Sequence, residues 1–128
     1  MVSQITSNVQ VKVETTFLEN CSNINSGKYL FAYSIHIQNN NDFSIQLLSR
    51  HWKIQDSLSA PRFVNGEGVV GERPILLPGE SYQYQSYCDL NSSLGYMEGS
   101  YIFKKEGKQE LIEVDIPRFE MALLCQLN

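Results

Sequence analysis

Long apolar runs are missing from this sequence, and so are clusters of basic residues. The roughly 18 consecutive apolar residues of a membrane-spanning helix occur nowhere in the chain, so we expect no membrane partner. The opening stretch MVSQITSNVQVKVE lacks a basic segment followed by an apolar one, which predicts no secretory signal and a cytoplasmic location. The net charge is -4, and the lysines of segment 104–110 lie among glutamates. The chain therefore lacks the basic patch that is typical of proteins that bind nucleic acid.

Cysteine is scarce as well. The three cysteines, Cys21, Cys88 and Cys125, are widely spaced and form no C-x-x-C pair of the kind used in zinc or redox chemistry. We therefore expect reduced thiols that act as small apolar side chains.

The signatures of metal and catalytic sites are also absent. There is no H-E-x-x-H motif, no acidic calcium loop and no G-x-S-x-G motif. The side chains able to bind a metal are spread along the chain, and they are His36, His51, Asp56, Glu67, Glu72, Asp89 and Glu98. The sequence thus predicts no metal site, no cofactor and no enzyme activity. A phosphoester hydrolase stays an alternative, and it requires a pocket that brings His51 within hydrogen-bonding distance of an acid.

What the sequence does contain is a repeated two-residue alternation. From Val9 to Phe17, and again from Tyr29 to Asn39, apolar side chains alternate with polar ones, as in strands with one buried face. Further strands are predicted at Ile45–Ile54, Ser81–Cys88, Tyr96–Lys104 and Leu111–Phe119. Gly107 predicts a hairpin between the last two. No window shows helical spacing, and four prolines interrupt the remainder.

These strands predict an all-β chain with a single domain, residues 1–128. Short strands separated by turns favour an immunoglobulin-like or fibronectin type III-like β-sandwich of two antiparallel sheets, with about seven strands. The turn Leu77-Pro78-Gly79 supports this, because proline presets the turn and glycine supplies a positive φ. We expect Trp52 to be the buried aromatic residue of the sandwich core.

Three glycines in the stretch VNGEGVVGERP follow the G-x-G-x-x-G spacing of phosphate-binding loops. A dinucleotide-binding loop also needs a helix directly after it, because the helix N-terminus holds the pyrophosphate. Pro74 follows Gly71 by three positions, and Pro78-Gly79 ends the segment before such a helix can form. A P-loop needs Gly-Lys where this chain has Gly71-Glu72. We therefore expect a tight turn, a bulge or close backbone packing.

An anion site in the glycine segment stays open as an alternative. Asp89 lies at about the separation expected of a ribose-binding acid, and backbone amides can form an anion nest. Against this, two glutamates and one arginine give the loop a formal charge of about -1, which repels phosphate. We expect Val69 and Val70 to pack inward. The candidate ligand- or partner-binding residues are His51, Trp52, Gly66, Glu67, Gly68, Val69, Val70, Gly71, Glu72 and Arg73.

Three segments together resemble one known family. They are RHW at 50–52, GEGVVGERPILLPGESYQYQS at 66–86 and GYMEGSY at 95–101. Their combination resembles the ApaG family over nearly the whole chain. The resemblance implies a fibronectin type III or immunoglobulin-like sandwich, which occurs alone in bacteria and as an accessory domain in some eukaryotic F-box and polymerase-interacting proteins. Two departures lie near the candidate site: Arg73 stands where the family has Gln, and the segment 57–60 lacks its usual Gly.

Two functional hypotheses follow from the residues and the resemblance. The first is a non-catalytic adaptor that binds a protein partner, still unidentified, through an exposed sheet edge or the glycine loop. The family hosts imply such contacts, and a homo-oligomer stays open as an alternative. The second is a small-ligand or ion binder, because the family is associated with cobalt tolerance and magnesium efflux. It would use the glycines and Arg73 for an anion or nearby acids for a cation.

Overall fold

The computed structural model of the protein describes residues 1–123, and most of them lie in β-strands. The strands are β1 (Val2–Thr6), β2 (Val9–Phe17), β3 (Tyr29–Asn39), β4 (Ile45–Asp56), β5 (Arg62–Glu67), β6 (Ile75–Leu76), β7 (Ser81–Leu90), β8 (Leu94–Lys105) and β9 (Leu111–Ala122). The helical segments of this part of the chain are two 3₁₀ turns, Glu19–Cys21 and Ile24–Ser26. Neither is long enough to cross a membrane.

The strands form two antiparallel sheets that pack face to face. One sheet has four strands in the order β1-β2-β3-β7. The other has five: β5, β4, β8 and β9 in that order, and β6, which pairs with β4. The predicted all-β sandwich is confirmed, and so is the hairpin between β8 and β9, where Gly107 has a φ of 77°.

The prediction of about seven strands is wrong, because the structure describes nine. The six strands that alternation predicted are all present, with small differences at their ends. The additional strands are β1, β5 and β6. β1 and β5 have no buried residue, so their sequences show no alternation, and β6 is too short to show a period.

The core lies between the sheets, and Trp52 is part of it. Its side chain is only 4% exposed. The ring makes edge contacts with Tyr33 of the opposite sheet and with Phe119, at centroid distances of 5.6 and 5.9 Å. Burying a large apolar side chain stabilises a fold by about 1.5–3 kcal/mol. The predicted core position of Trp52 is confirmed.

A β-bulge in β4 changes which residues face the core. Ile45 and Leu47 are buried before it, and Trp52 and Ile54 are buried after it. The register between β4 and β8 shifts at this point, and one extra residue moves all later side chains to the opposite face. Arg50, two residues before Trp52, therefore lies on the core side of the sheet.

Asp56, at the end of β4, connects two loops and is 3% exposed. Its carboxylate accepts hydrogen bonds from the Ser92 hydroxyl and from the backbone N–H groups of Asn91 and Leu58. Burial raises the pKa of the Asp56 carboxyl, but these hydrogen bonds lower it more, so the net pKa is below its ordinary value. Asp56 was one of the candidate metal ligands, and in the structure its carboxylate instead holds the loops that contain Leu58 and Asn91.

The two rims of the sandwich differ. On one rim β1 lies against β9, where the Asp115 N–H donates to Thr6 Oγ1 at 3.3 Å. On the other rim β5 and β7 are the terminal strands of their sheets. Arg62 of β5 links them through an ion pair with Asp89 of β7, at 3.3 Å. Beside this link the outer backbone edge of β5 has no partner strand among the described residues.

Candidate functional site

The glycine segment lies where the chain leaves the edge of β4 and returns to it. β5 pairs with β4 up to Glu67, and β6 resumes the pairing at Ile75. Between them the Val69 N–H donates to the Glu72 carbonyl at 2.8 Å, and the Glu72 N–H donates to the Val69 carbonyl at 2.9 Å. The two central residues, Val70 and Gly71, have φ values of 48° and 77°, as in a type I′ hairpin turn. The predicted tight turn is therefore confirmed.

Gly66 makes room for Arg50. A Cβ atom at Gly66 would lie 2.7 Å from the guanidinium carbon and both terminal nitrogens of Arg50. With no side chain in the way, Arg50 Nη1 donates to the Glu67 carbonyl at 3.0 Å and to the Gly68 carbonyl at 2.9 Å. Arg50 therefore holds the start of the loop against the sheet.

The prediction that Val69 and Val70 both pack inward is right for Val69 and wrong for Val70. Val69 is 1% exposed, whereas Val70 is 63% exposed. The turn places Val70 at its tip with a positive φ, which is sterically unfavourable for a β-branched residue. A residue held in this region costs on the order of 1–3 kcal/mol. The structure thus presents an apolar side chain to solvent in a strained conformation.

Exposed apolar side chains line this edge of the five-stranded sheet. We call them the edge surface, and they are Phe63, Val64, Val70, Ile75 and Leu77. They span fifteen residues of β5, the glycine loop and the segment that follows it. Phe63 is the most exposed of the five, at 68%. The edge surface contains one of the predicted site residues, Val70, and adds four that were not predicted.

The glycine loop uses several of its polar groups internally. The Gly68 N–H donates to the Leu48 carbonyl at 2.8 Å, and the amides of Val69 and Glu72 bond across the turn. Arg73 forms an ion pair with Glu67 at 2.7 Å. The Tyr82 hydroxyl donates to the Glu72 carboxylate at 3.0 Å. These contacts occupy groups that an anion nest would have to offer to its ligand.

His51 lies on the outer face of the sheet, opposite in direction to Trp52. Its Nδ1 is 2.8 Å from Asn65 Oδ1, and its Nε2 is 3.2 Å from Ser49 Oγ. Both partners are uncharged, and among the described residues no carboxylate lies within hydrogen-bonding distance of the His51 ring. Trp52 is buried, and neither residue joins the loop tip in one site.

The remaining candidate side chains are dispersed. Among residues 1–123, no group of three or more His, Cys, Asp and Glu side chains is placed to hold a metal. Asp89 pairs with Arg62 instead of standing beside the glycine loop. Burial raises the pKa of the Cys88 thiol to about 11, and Cys21 is exposed. Cys125 lies outside the described residues.

Sequence reasoning missed the inward position of Arg50, although a signal for it exists. Apolar residues occupy odd positions at Ile45 and Leu47 and even positions at Trp52 and Ile54. Such a switch within one strand indicates a bulge. The exposed pair Phe63-Val64 carries no comparable signal, because exposure depends on which strands fail to find a partner.

The fold and this site define a class of protein: an immunoglobulin-like β-sandwich with a glycine hairpin in an exposed edge. The model of the ApaG domain family matches residues 19–105. Protein ApaG of Brucella canis is 41% identical over 121 residues, which cover 94% of this chain and 92% of the relative. Protein ApaG of Beijerinckia indica is 40% identical with the same coverage.

A solved structure supports the same assignment. The crystal structure of a Bordetella pertussis protein that carries the name ApaA has a TM-score of 0.86 and 36% identity. The match covers 90% of this chain and 93% of that one. The chain belongs to the ApaG domain family.

Proposed function

We propose that the protein is a non-catalytic module that binds another protein through the edge surface. The observation that supports this most is the row of five exposed apolar side chains on one free sheet edge. Phe63 and Val64 point to opposite faces of β5, so apolar side chains border the edge on both sides and offer contacts to a segment that adds there. Phe63 supplies the aromatic area that protein interfaces favour.

A free strand edge suits the same role. Strands of this kind expose unpaired N–H and C=O groups, and an extended segment of a partner can add to them as a further strand. Soluble proteins usually protect such edges with lysines, prolines or bulges. Pro61 and Arg62 stand at one end of β5 and Glu67 at the other, whereas the four residues between them, 63–66, include no lysine, proline or bulge and leave the middle of the edge open for contact.

The strained hairpin is a second supporting observation. Asn-Gly is the preferred pair for a type I′ turn, because both central residues need a positive φ. This chain has Val70-Gly71 instead. Val70 stays exposed at the tip of the turn although its conformation lowers stability. Such a side chain is suited to contact a partner.

Catalysis and ion binding receive less support. A catalytic base needs a group that orients it toward a nucleophile, and within residues 1–123 the side-chain hydrogen bonds of the His51 ring go to the uncharged Asn65 and Ser49. The ion-binding alternative, which the family's association with cobalt and magnesium suggested, lacks a clustered ligand set among the described residues. Titration calorimetry with magnesium, cobalt, pyrophosphate and nucleotides separates the two functions, because only the ion or ligand binder produces heat.

The direct experiment is a quantitative pull-down from an extract of the protein's own cells, read by mass spectrometry. The Phe63→Ser variant removes the most exposed apolar group of the edge surface. Leu111→Ser is the matched control, because Leu111 is 60% exposed on β9, the strand at the opposite end of the sheet. We expect a partner that the wild type and the Leu111 variant retain and the Phe63 variant loses. Equal retention by all three, or no enriched protein, would reject the proposal.

A further inference from the structure

We propose that Asn65 is a site of spontaneous modification, where the side-chain amide is converted to a carboxylate through a ring closed with the backbone of Gly66. Asn65-Gly66 is the one Asn-Gly pair in the sequence. Glycine favours the ring closure, because no side chain shields its nitrogen and its backbone rotates easily. Asn65 is exposed on the edge strand β5, so water reaches it. The modification does not depend on the proposed partner.

The reaction needs water as its only co-reactant. The Gly66 nitrogen attacks Asn65 Cγ and loses its proton to solvent. The Cγ–Nδ2 bond breaks, and Nδ2 takes up a proton and leaves as ammonia. Water then opens the resulting imide at Cγ, which gives aspartate, or at the main-chain carbonyl, which gives isoaspartate with the main chain running through Cγ. Either product adds one acid, so the net charge becomes -5 in place of -4.

The side chain of Asn65 is tied to the neighbouring strand. His51 Nδ1 lies 2.8 Å from Asn65 Oδ1, and because this oxygen only accepts hydrogen bonds, Nδ1 carries the proton. The Nε2 atom of the neutral ring then accepts from the Ser49 hydroxyl, at 3.2 Å. The amide of Asn65 must leave this bond and turn before its carbon reaches the Gly66 nitrogen. His51 therefore slows the conversion.

The nitrogen of Gly66 is held in the sheet. Gly66 lies opposite Arg50 of β4, and the Gly68 N–H two residues later donates to the Leu48 carbonyl. Because hydrogen bonds alternate sides along a strand, the Gly66 N–H also points to β4. The conversion requires this bond to open. Segments with few buried contacts open at a low free energy, and β5 has no buried residue and no outer partner strand among the described residues.

Arg50 opposes the opening of β5 and distinguishes the two products. Its Nη1 donates to the Glu67 carbonyl at 3.0 Å and to the Gly68 carbonyl at 2.9 Å, directly after the reacting pair. Isoaspartate adds one atom to the main chain at residue 65, so it displaces both carbonyls from Arg50 and ends the pairing with β4. Aspartate leaves the main chain unchanged and keeps an oxygen that accepts from His51. Isoaspartate thus detaches the glycine loop, whereas aspartate does not.

Peptide mapping by mass spectrometry tests the site on the folded chain during long incubation at mildly alkaline pH. Electron-transfer fragmentation separates aspartate from isoaspartate. We expect conversion at Asn65 before Asn25, an exposed asparagine followed by serine that serves as the internal reference. The same chain unfolded in urea should convert faster at Asn65. Asn65→Gln is the negative control, because its ring would be one atom larger, and its isoelectric point should stay constant.

Two variants test the restraints. Arg50→Ala should raise the rate of conversion about tenfold, the effect of losing hydrogen bonds from a charged group that hold β5 closed. His51→Ala should raise it by roughly fivefold, the effect of losing one hydrogen bond, and leaves the main-chain pairing intact. Arg118→Ala is the matched control, because Arg118 pairs with Glu98 and does not contact β5, so its rate should equal that of the wild type.

Circular dichroism checks that each variant is folded, and the rates are compared only among folded proteins. An Asn65 that stays unchanged in the folded wild type, after the urea-unfolded chain has converted, overturns the proposal. Conversion at Asn25 before Asn65 does so as well. Equal rates in the wild type, His51→Ala and Arg50→Ala would also contradict it, because the contacts of β5 would then have no influence on the reaction.

Discussion

At the scale of single residues, Gly66 controls the position of Arg50. Gly66→Ala places a methyl group against the guanidinium, so we expect the loss of its hydrogen bonds to the loop and a free energy of unfolding lower by about 1–2 kcal/mol. Urea denaturation measures this value. In an Arg50→Ala background the same glycine substitution should cost little, because the clash is gone. Equal costs in both backgrounds would contradict the account.

Asp56 makes the free energy of unfolding depend on pH. Its folded pKa is lowered, so the ionised carboxylate stabilises the fold above the unfolded pKa of about 4, and this stabilisation is lost as the pH falls through the folded pKa. Asp56→Asn should reduce the free energy of unfolding at neutral pH by about 2–3 kcal/mol, because it disrupts hydrogen bonds to a buried charge.

The pH series gives this prediction its control. Denaturation curves of both proteins should converge as the pH is lowered below about 4, since protonated Asp56 resembles the amide. A difference that stays constant with pH would mean that the charge of Asp56 contributes nothing.

The environments of some single residues could be predicted from the sequence, and those of others could not. Trp52 could be placed because a single tryptophan in an alternating strand has one good environment. Val70 could not, because two adjacent apolar residues at a turn cannot both face the core, and the sequence does not say which is excluded. The inward position of Arg50 depends on a bulge. The only sign of this bulge in the sequence is that the apolar positions change from odd to even numbers.

At the scale of elements, the hairpin at Val70 exposes an apolar side chain and lowers the stability of the fold, because Val70 is held at a positive φ. Val70→Asn creates the favoured Asn-Gly type I′ turn, so we expect the free energy of unfolding to rise by about 0.5–1.5 kcal/mol. Thermal and urea denaturation measure the gain. In the pull-down the same variant should retain less partner. A variant that is more stable and binds equally well would show that Val70 has no part in docking.

Whether a strand could be predicted from the sequence also depended on whether it buries one face. β2, β3, β4, β7, β8 and β9 were predictable because each buries one face, and burial imposes a two-residue period. β5 was not predictable, since it buries almost nothing. The strand that matters most for the proposed function is therefore the one that leaves the weakest pattern in the sequence.

At the scale of the whole molecule, the two rims of the sandwich differ in how their terminal strands are covered. β1 and β9 meet on one rim, whereas β5 ends its sheet on the other with the edge surface beside it. Composition and alternation predicted the two sheets. They could not predict which rim stays open, because that depends on how the last strands of each sheet meet in space.

Hydrogen–deuterium exchange of backbone amides tests the central claim most directly. It is measured on the free protein and on the complex with the partner that the pull-down recovers. We expect slower exchange on binding in β5 and in the 68–74 loop, with no change at the Leu111 end of β9. Protection confined to the four-stranded sheet or to β9, with β5 unaffected, would contradict it.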